Sequence, residues 1–131
     1  MDREILQYIK ANQLSSVMNK TKWKELANSM TSNNNFEPQV WLKYLLDKEP
    51  MPGFTFLDWE WVKNDDISNI EWMEIDPVKK EHQGSLINDK ETNYSAFIEH
   101  ELKRHNIPFS VENGNFKIWG YTWPNEQPNF V

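Results

Sequence analysis

The chain reads as an α+β domain, and three observations predict it. Apolar residues recur at helical spacing in two separate stretches, Trp23, Leu26, Ala27 and Met30, then Tyr94, Phe97, Ile98 and Leu102. Between them, segments 40–46, 54–63 and 69–76 are rich in aromatic and β-favouring residues and are bracketed by Pro38, the Pro50-Met-Pro-Gly53 break and Pro77. Near the end, Asn113-Gly114 sits between two alternating runs, the mark of a two-residue hairpin turn. The predicted order is two N-terminal helices, a three-stranded antiparallel meander, one helix and a C-terminal β-hairpin, packed in one sheet. At 131 residues this is one domain, 1–131.

Residues 2–13 form the first short helix, with Ile5, Leu6 and Ile9 as its stripe and Asp2 and Glu4 at the dipole-favoured end. After a break at 14–19, Asn19 or Thr21 caps the second helix, Lys22–Met30, and a run of three asparagines ends it. Val40–Leu46 is short and nearly all apolar, open to a strand or a helical turn; the bracketing prolines favour the strand. Phe54–Lys63 and Asn69–Asp76 follow as strands joined by a polar turn at 64–68. Val78–Glu91, polar with charges of both signs, reads as a loop. The third helix spans about Thr92 to His105, with Asn106 as a left-handed cap and Pro108 forbidding continuation. In the hairpin, a turn at 113–114 pairs Val111 with Phe116 and Phe109 with Ile118, so four apolar side chains share a face and a one-residue slip would scatter them. The tail, 123–131, carries two prolines and reads as irregular.

Composition narrows the function classes. Only 38% of residues are apolar, but seven Trp, seven Phe and four Tyr make a core of few, large rings. With no cysteine there are no disulfides, thiolate metal sites or cysteine nucleophiles, which fits a cytoplasmic protein. The acidic first residues do not read as a signal peptide, and no apolar run is long enough for a membrane span. A net charge of −6 argues against nucleic acid and leaves a basic protein, a cation or plain solubility as its purpose.

That charge is concentrated. Asp58–Asp76 holds three of the seven tryptophans and seven acids against one lysine, so its local net charge equals that of the whole chain. Laid out as an antiparallel pair, with Trp59 opposite Met73 and Leu57 opposite Ile75, its outer face presents Asp58, Glu60, Trp72, Glu74 and Asp76. Asp58 then faces Glu74 directly, and like charges so placed are destabilising. A basic side chain from elsewhere, a bound cation, a basic partner or a bulge would relieve them. Three readings follow: a solvated face, a partner-binding face built on those five residues, or a carboxylate site for a hard cation in a metal-dependent hydrolase using Asp58, Glu60, Glu74 and Asp76. A nuclease version needs a lysine close by, and alternation turns Lys63 to the tryptophan side.

Other candidates give less. His100 and His105 are five apart and diverge by roughly 140° on a helix, so they cannot share a metal; His82 stands alone in the 78–91 loop. No serine elbow and no phosphate-cradling glycine loop is present. Trp23, Trp41, Trp59 and Trp61 read as core. Trp72, Trp119 and Trp123 read as the second sheet face, either an aromatic patch exposed for binding or, the favoured reading, a face covered by one of the first two helices.

Met18-Asn-Lys-Thr-Lys-Trp23, Asp58-Trp-Glu-Trp61, Ile70-Glu-Trp-Met-Glu-Ile75 and the closing Ile107-Pro…Phe116-Lys-Ile-Trp-Gly-Tyr121 together resemble a family of small bacterial proteins of unknown function, over about residues 18–122. The resemblance implies a fold class and a bacterial source, and leaves residues 1–17 and the tail outside it. It implies no activity, cofactor or site residue. The expectation is a non-enzymatic protein-binding module, with an immunity or antitoxin role among the readings, that docks its acidic sheet face on a basic protein. No catalytic residue or cofactor is assigned, and the carboxylate hydrolase is the alternative.

Overall fold

The computed structural model describes all 131 residues. In chain order the elements are α1 (Arg3–Ala11), β1 (Ser15–Ser16), α2 (Lys20–Met30), β2 (Gln39–Tyr44), β3 (Thr55–Phe56), α3 (Trp59–Asn64), β4 (Ile70–Ile75), β5 (Val78–Glu81), β6 (Lys90–Asn93), α4 (Ser95–Arg104), β7 (Ser110–Glu112), β8 (Asn115–Trp119) and β9 (Tyr121–Thr122). The α+β class is as the sequence predicts. The main sheet is antiparallel and runs β3-β2-β4-β8-β7, with β4 buried along its whole length at the centre. Both the 40–46 strand and the attachment of the C-terminal hairpin are found where expected.

Local chemistry accounts for the helix ends. The Asp2 carboxylate accepts from Glu4 N at 2.7 Å at the start of α1, and Asn19 Oδ1 accepts from Lys22 N at 2.8 Å at the start of α2. Asn106 closes α4 with φ +54°, the left-handed turn expected of it. In the β7–β8 hairpin, Asn113 and Gly114 both have positive φ, and Val111 pairs with Phe116, the register read from the alternation.

The second predicted strand is the main correction. Of Phe54–Lys63, only Thr55–Phe56 is extended, as an edge strand on β2, and Trp59–Asn64 is a helix. The Asp58 carboxylate accepts from Glu60 N at 3.1 Å, an N-cap, and Trp59 and Val62 then fall three apart and are both buried. The alternation of tryptophan and acid reads equally well as a short helix. The meander is therefore not consecutive: β2 pairs directly with β4, leaving β3 outside.

Val78–Glu91 is not a plain loop either. Val78–Glu81 and Lys90–Asn93 pair as a separate ribbon, in a register that sets Lys80 opposite Glu91 and Glu81 opposite Lys90. It forms with almost no apolar face because its cross-strand charges are complementary. The helix after it starts at Ser95, whose N–H is held by Asn93 Oδ1 at 2.8 Å. A third small sheet joins β1 to β9.

Helices α2, α3 and α4 all pack on one face of the main sheet. Leu26, Met30, Trp59, Val62, Ile98 and Leu102 meet Val40, Leu42, Met73, Ile75, Phe116 and Ile118 there in one core. A smaller cluster of Ile5, Leu14, Leu45 and Tyr121 seats α1. Gly120 makes this junction possible: its N–H reaches Glu71 O at 2.8 Å, and a Cβ there would run into the Ile70 carbonyl oxygen. The helices being on one side, the other face of the sheet carries no helix from the main core.

Candidate functional site

The helix-free face is built by alternation along three strands. On β2 it receives Trp41 and Lys43, on β4 Trp72 and Glu74, and on β8 Asn115, Lys117 and Trp119, because Trp41 pairs with Glu74, Lys43 with Trp72, Trp72 with Trp119 and Glu74 with Lys117. Its rows are thus mixed, each aromatic or acid flanked by a lysine or a ring. Trp41 meets Trp72 edge to face at 4.9 Å and donates its indole N–H to Met51 O at 2.6 Å. Trp119 donates its own to Ser110 Oγ at 2.9 Å.

Lys117 closes the middle of this face. Its ammonium lies 4.4 Å from the centroid of Trp72 and 4.2 Å from that of Trp119, between the two rings rather than on the Glu74 carboxylate. Trp72 and Trp119 are buried, at 9% and 5% exposure, and neither belongs to the clusters that seat the helices. In place of the expected α1 or α2, groups of the sheet pack on them: Lys117 on both rings and Trp41 on Trp72. Trp41 belongs to this face too, contrary to its assignment to the core. Trp123 lies apart, against Tyr8 of α1 at 6.1 Å. Trp23 and Trp59 are core as predicted, and Trp61 packs at the core's edge.

The five predicted partner-binding residues divide between two sides. Trp72 and Glu74 share the helix-free face, with Asp76 at its end, where Gln39, Phe56 and Asp76 also line a cleft of about 450 Å³. Asp58 and Glu60 are on α3, which packs on the opposite face, so Asp58 does not oppose Glu74. The repulsion inferred from the sequence does not arise. Glu74 instead has Trp41 and Lys117 for cross-strand neighbours and accepts from Asn115 Nδ2 at 3.3 Å. No three acidic or histidine side chains gather closely enough to hold a metal ion. The four-carboxylate hydrolase site fails for that reason: one helix carries half of the set away.

Charge on the helix-free face is largely settled internally. Lys43 Nζ sits 3.1 Å from the Glu71 carboxylate, itself brought there by a register shift at Lys43/Tyr44. Glu74, Asp76 and Glu112 form no ion pair. At the β3 edge Phe54 and Phe56 are 37% and 58% exposed, and Glu112 lies on β7 at the other edge.

A second concavity, of about 330 Å³, lies on the side of α3, lined by Ile5, Tyr44, Leu46, Asp47, Trp61 and Asn69. Burial, and after it the charge of Asp47, raises the Tyr44 pKa above the ordinary phenol value. Nearer α1, burial and then the charge of Asp66 raise that of Tyr121, while the hydrogen bond from the chain's amino terminus lowers that of Asp66. His105 Nδ1 bonds Glu25 Oε2 at 2.8 Å across α4 and α2, and His82 pairs with Asp89 at 3.2 Å. Of the residues missed, Lys117 was within reach of the sequence, since the hairpin register already puts it beside Trp119. That Trp72 would be its other wall depended on strand order. No helix of the protein is long and apolar enough to cross a membrane.

Residues 5–125 match the pattern of a family of unknown function, DUF6678, a span that takes in most of α1 as well as the segment of the resemblance. Neither curated proteins nor solved structures give a match.

Proposed function

The chain belongs to this family of unknown function, and we propose that it is a non-enzymatic protein-binding module whose partner is a basic protein, bound on the helix-free face of the main sheet. The observation that carries the reading is the arrangement on that face: exposed Phe54 and Phe56 beside the half-buried Trp41, backed by a preorganised buried layer of Trp72 and Trp119, with the carboxylates of Asp76 and Glu112 in no ion pair. Rigid aromatic side chains lose little entropy on binding, which suits them to anchor an interface. The two lysines of the face are already engaged, Lys43 with Glu71 and Lys117 with the indoles, so the charge it offers a partner is negative. The net charge of −6 adds long-range attraction, which acts mainly on association rate and on partner choice. Small size, acidity and an aromatic docking face suit an immunity or antitoxin role, in which the module occludes a basic toxin.

Affinity capture from the source organism tests this, run in parallel with wild type and a Phe54→Ser/Phe56→Ser double variant, at low and high salt. A basic protein should be retained by wild type, released as salt rises, and lost with the variant, whose substitutions are at exposed edge positions. Recovery of no basic protein, or equal recovery by both forms, refutes the reading.

A further inference from the structure

From the aromatic and acidic concavity beside α3, we infer that the protein has a second binding site, separate from the sheet face, for a single alkylammonium or alkylguanidinium group. Tyr44 and Trp61 form two of its walls, their ring centroids 6.5 Å apart and inclined at 58°. Ile5 and Leu46 add apolar surface that suits an alkyl stem. Asp47 stands in the same lining, and its carboxylate takes part in none of the protein's ion pairs; the Lys43 ammonium reaches this turn at backbone oxygens, those of Tyr44 at 3.0 Å and Asp47 at 2.6 Å, and not at the carboxylate. An electron-rich ring pair with an unpaired carboxylate is the chemistry that holds organic cations.

Three further observations agree. The Asp47 charge is felt at the Tyr44 phenol, so ring and carboxylate share one electrostatic environment. Asn69 adds a polar residue to the same lining. Asp58 and Asp65, the residues flanking α3 at its two ends, are exposed and form no ion pairs, so the charge around this helix is negative. The sheet's own device supports the principle: Lys117 between Trp72 and Trp119 is the same recognition, filled from within the chain.

The cation could belong to a free amine or to a lysine or arginine side chain of a protein, and the test separates the two. Isotope-labelled protein is titrated with n-butylammonium, n-butylguanidinium, neutral n-butanol and an acetyl-Gly-Arg-Gly-amide peptide, following the Trp61 indole N–H by NMR. Both cations should shift that signal with dissociation constants on the order of millimolar, and butanol should not. Tighter binding of the peptide than of butylguanidinium marks a protein side chain as the ligand; equal or weaker binding marks a free amine. Asp47→Asn, an exposed substitution, should weaken both cations about tenfold without changing the melting temperature. Trp61→Leu, followed at the Asp47 backbone amide, which should also shift in wild type, should abolish binding. No shift at Trp61, an equal shift with butanol, or undiminished binding by Asp47→Asn overturns the inference. Because Trp61 lies on the helix-bearing side of the sheet, the outcome is independent of whether a basic protein docks on the other face.

Discussion

Asp58→Ala separates two accounts of the acidic stretch by the sign of its effect. Were Asp58 on a strand facing Glu74, removing it would relieve a like-charge pair and stabilise the protein by about 0.2–1 kcal/mol. As the N-cap of α3, its carboxylate accepts from Glu60 N at 3.1 Å and faces the positive end of the helix. Its loss leaves an orphan N–H on a helix of six residues, too short to compensate by its own propensity. Cap deletions of this kind cost about 1 kcal/mol, within a range of roughly 0.5–2. For a domain of this size that is a melting-temperature drop of about 3–5 °C per kcal/mol. The assay is urea and thermal unfolding by circular dichroism, with an unchanged urea slope showing that compactness is unaltered. Asp58→Asn is the control: it keeps the cap acceptor and loses only the charge, so it should cost less than the alanine variant. An alanine variant as stable as wild type, or more so, refutes the N-cap account and with it the separation of Asp58 from Glu74.

Three other perturbations address the rest of the molecule. Lys117→Met keeps the stem but removes the charge between Trp72 and Trp119; it should cost about 1–2 kcal/mol, a lower bound since a thioether also favours aromatic rings. A double-mutant cycle with Trp119→Leu should then return a coupling of at least about 0.5 kcal/mol, and a coupling of zero contradicts the sandwich. Gly120→Ala drives a methyl against the Ile70 backbone and to 3.1 Å from Glu71 O, where no flexible side chain can yield, so unfolding measurements should show a loss of about 2–4 kcal/mol. At high pH the raised pKa values of Tyr44 and Tyr121 set the direction: the unfolded phenols ionise first, so their contribution is complete below about pH 10 and is lost as pH rises through the folded values. Tyr121→Phe, which loses the 2.7 Å bond to Ser68 O, should lower stability by about 1 kcal/mol at neutral pH and flatten this alkaline decline, followed by melting across the pH range.

Legibility of the sequence tracked how local the deciding interaction was. The β7–β8 hairpin was readable because its turn and its register are both written within eleven residues: Asn113-Gly114 demands positive φ, and Val111 and Phe116 then fall opposite one another. The stripes of α2 and α4 were readable for the same reason. The 54–63 segment misled because Trp59, Trp61 and Val62 satisfy an alternating and a helical period alike over so short a run, and the one local discriminator, Asp58 with Glu60 two residues on, also fits an acidic strand face. The β5–β6 ribbon carried a usable signal that apolar periodicity cannot detect, the charge-complementary order Lys80, Glu81 against Lys90, Glu91.

The candidate surfaces were least legible because each depends on strand order. Trp72 and Trp119 lie far apart in the chain and meet only because β8 pairs with β4. The hairpin register fixes which face Lys117 takes, but not that Trp72 will be its second wall. Similarly, Tyr44 and Trp61 come together only because β3 moves to the edge and returns the chain as a helix over the β2–β4 pair. The same event that took Asp58 and Glu60 away from Glu74 and Asp76, and so removed the carboxylate cluster, brought Trp61 to Tyr44 and formed the concavity between them. The acidity of 58–76 therefore does not make one surface: Glu74 and Asp76 lie with a tryptophan layer already supplied with its own cation, Asp58 and Glu60 go with α3, and the Tyr44–Trp61 concavity draws its carboxylate from Asp47 instead.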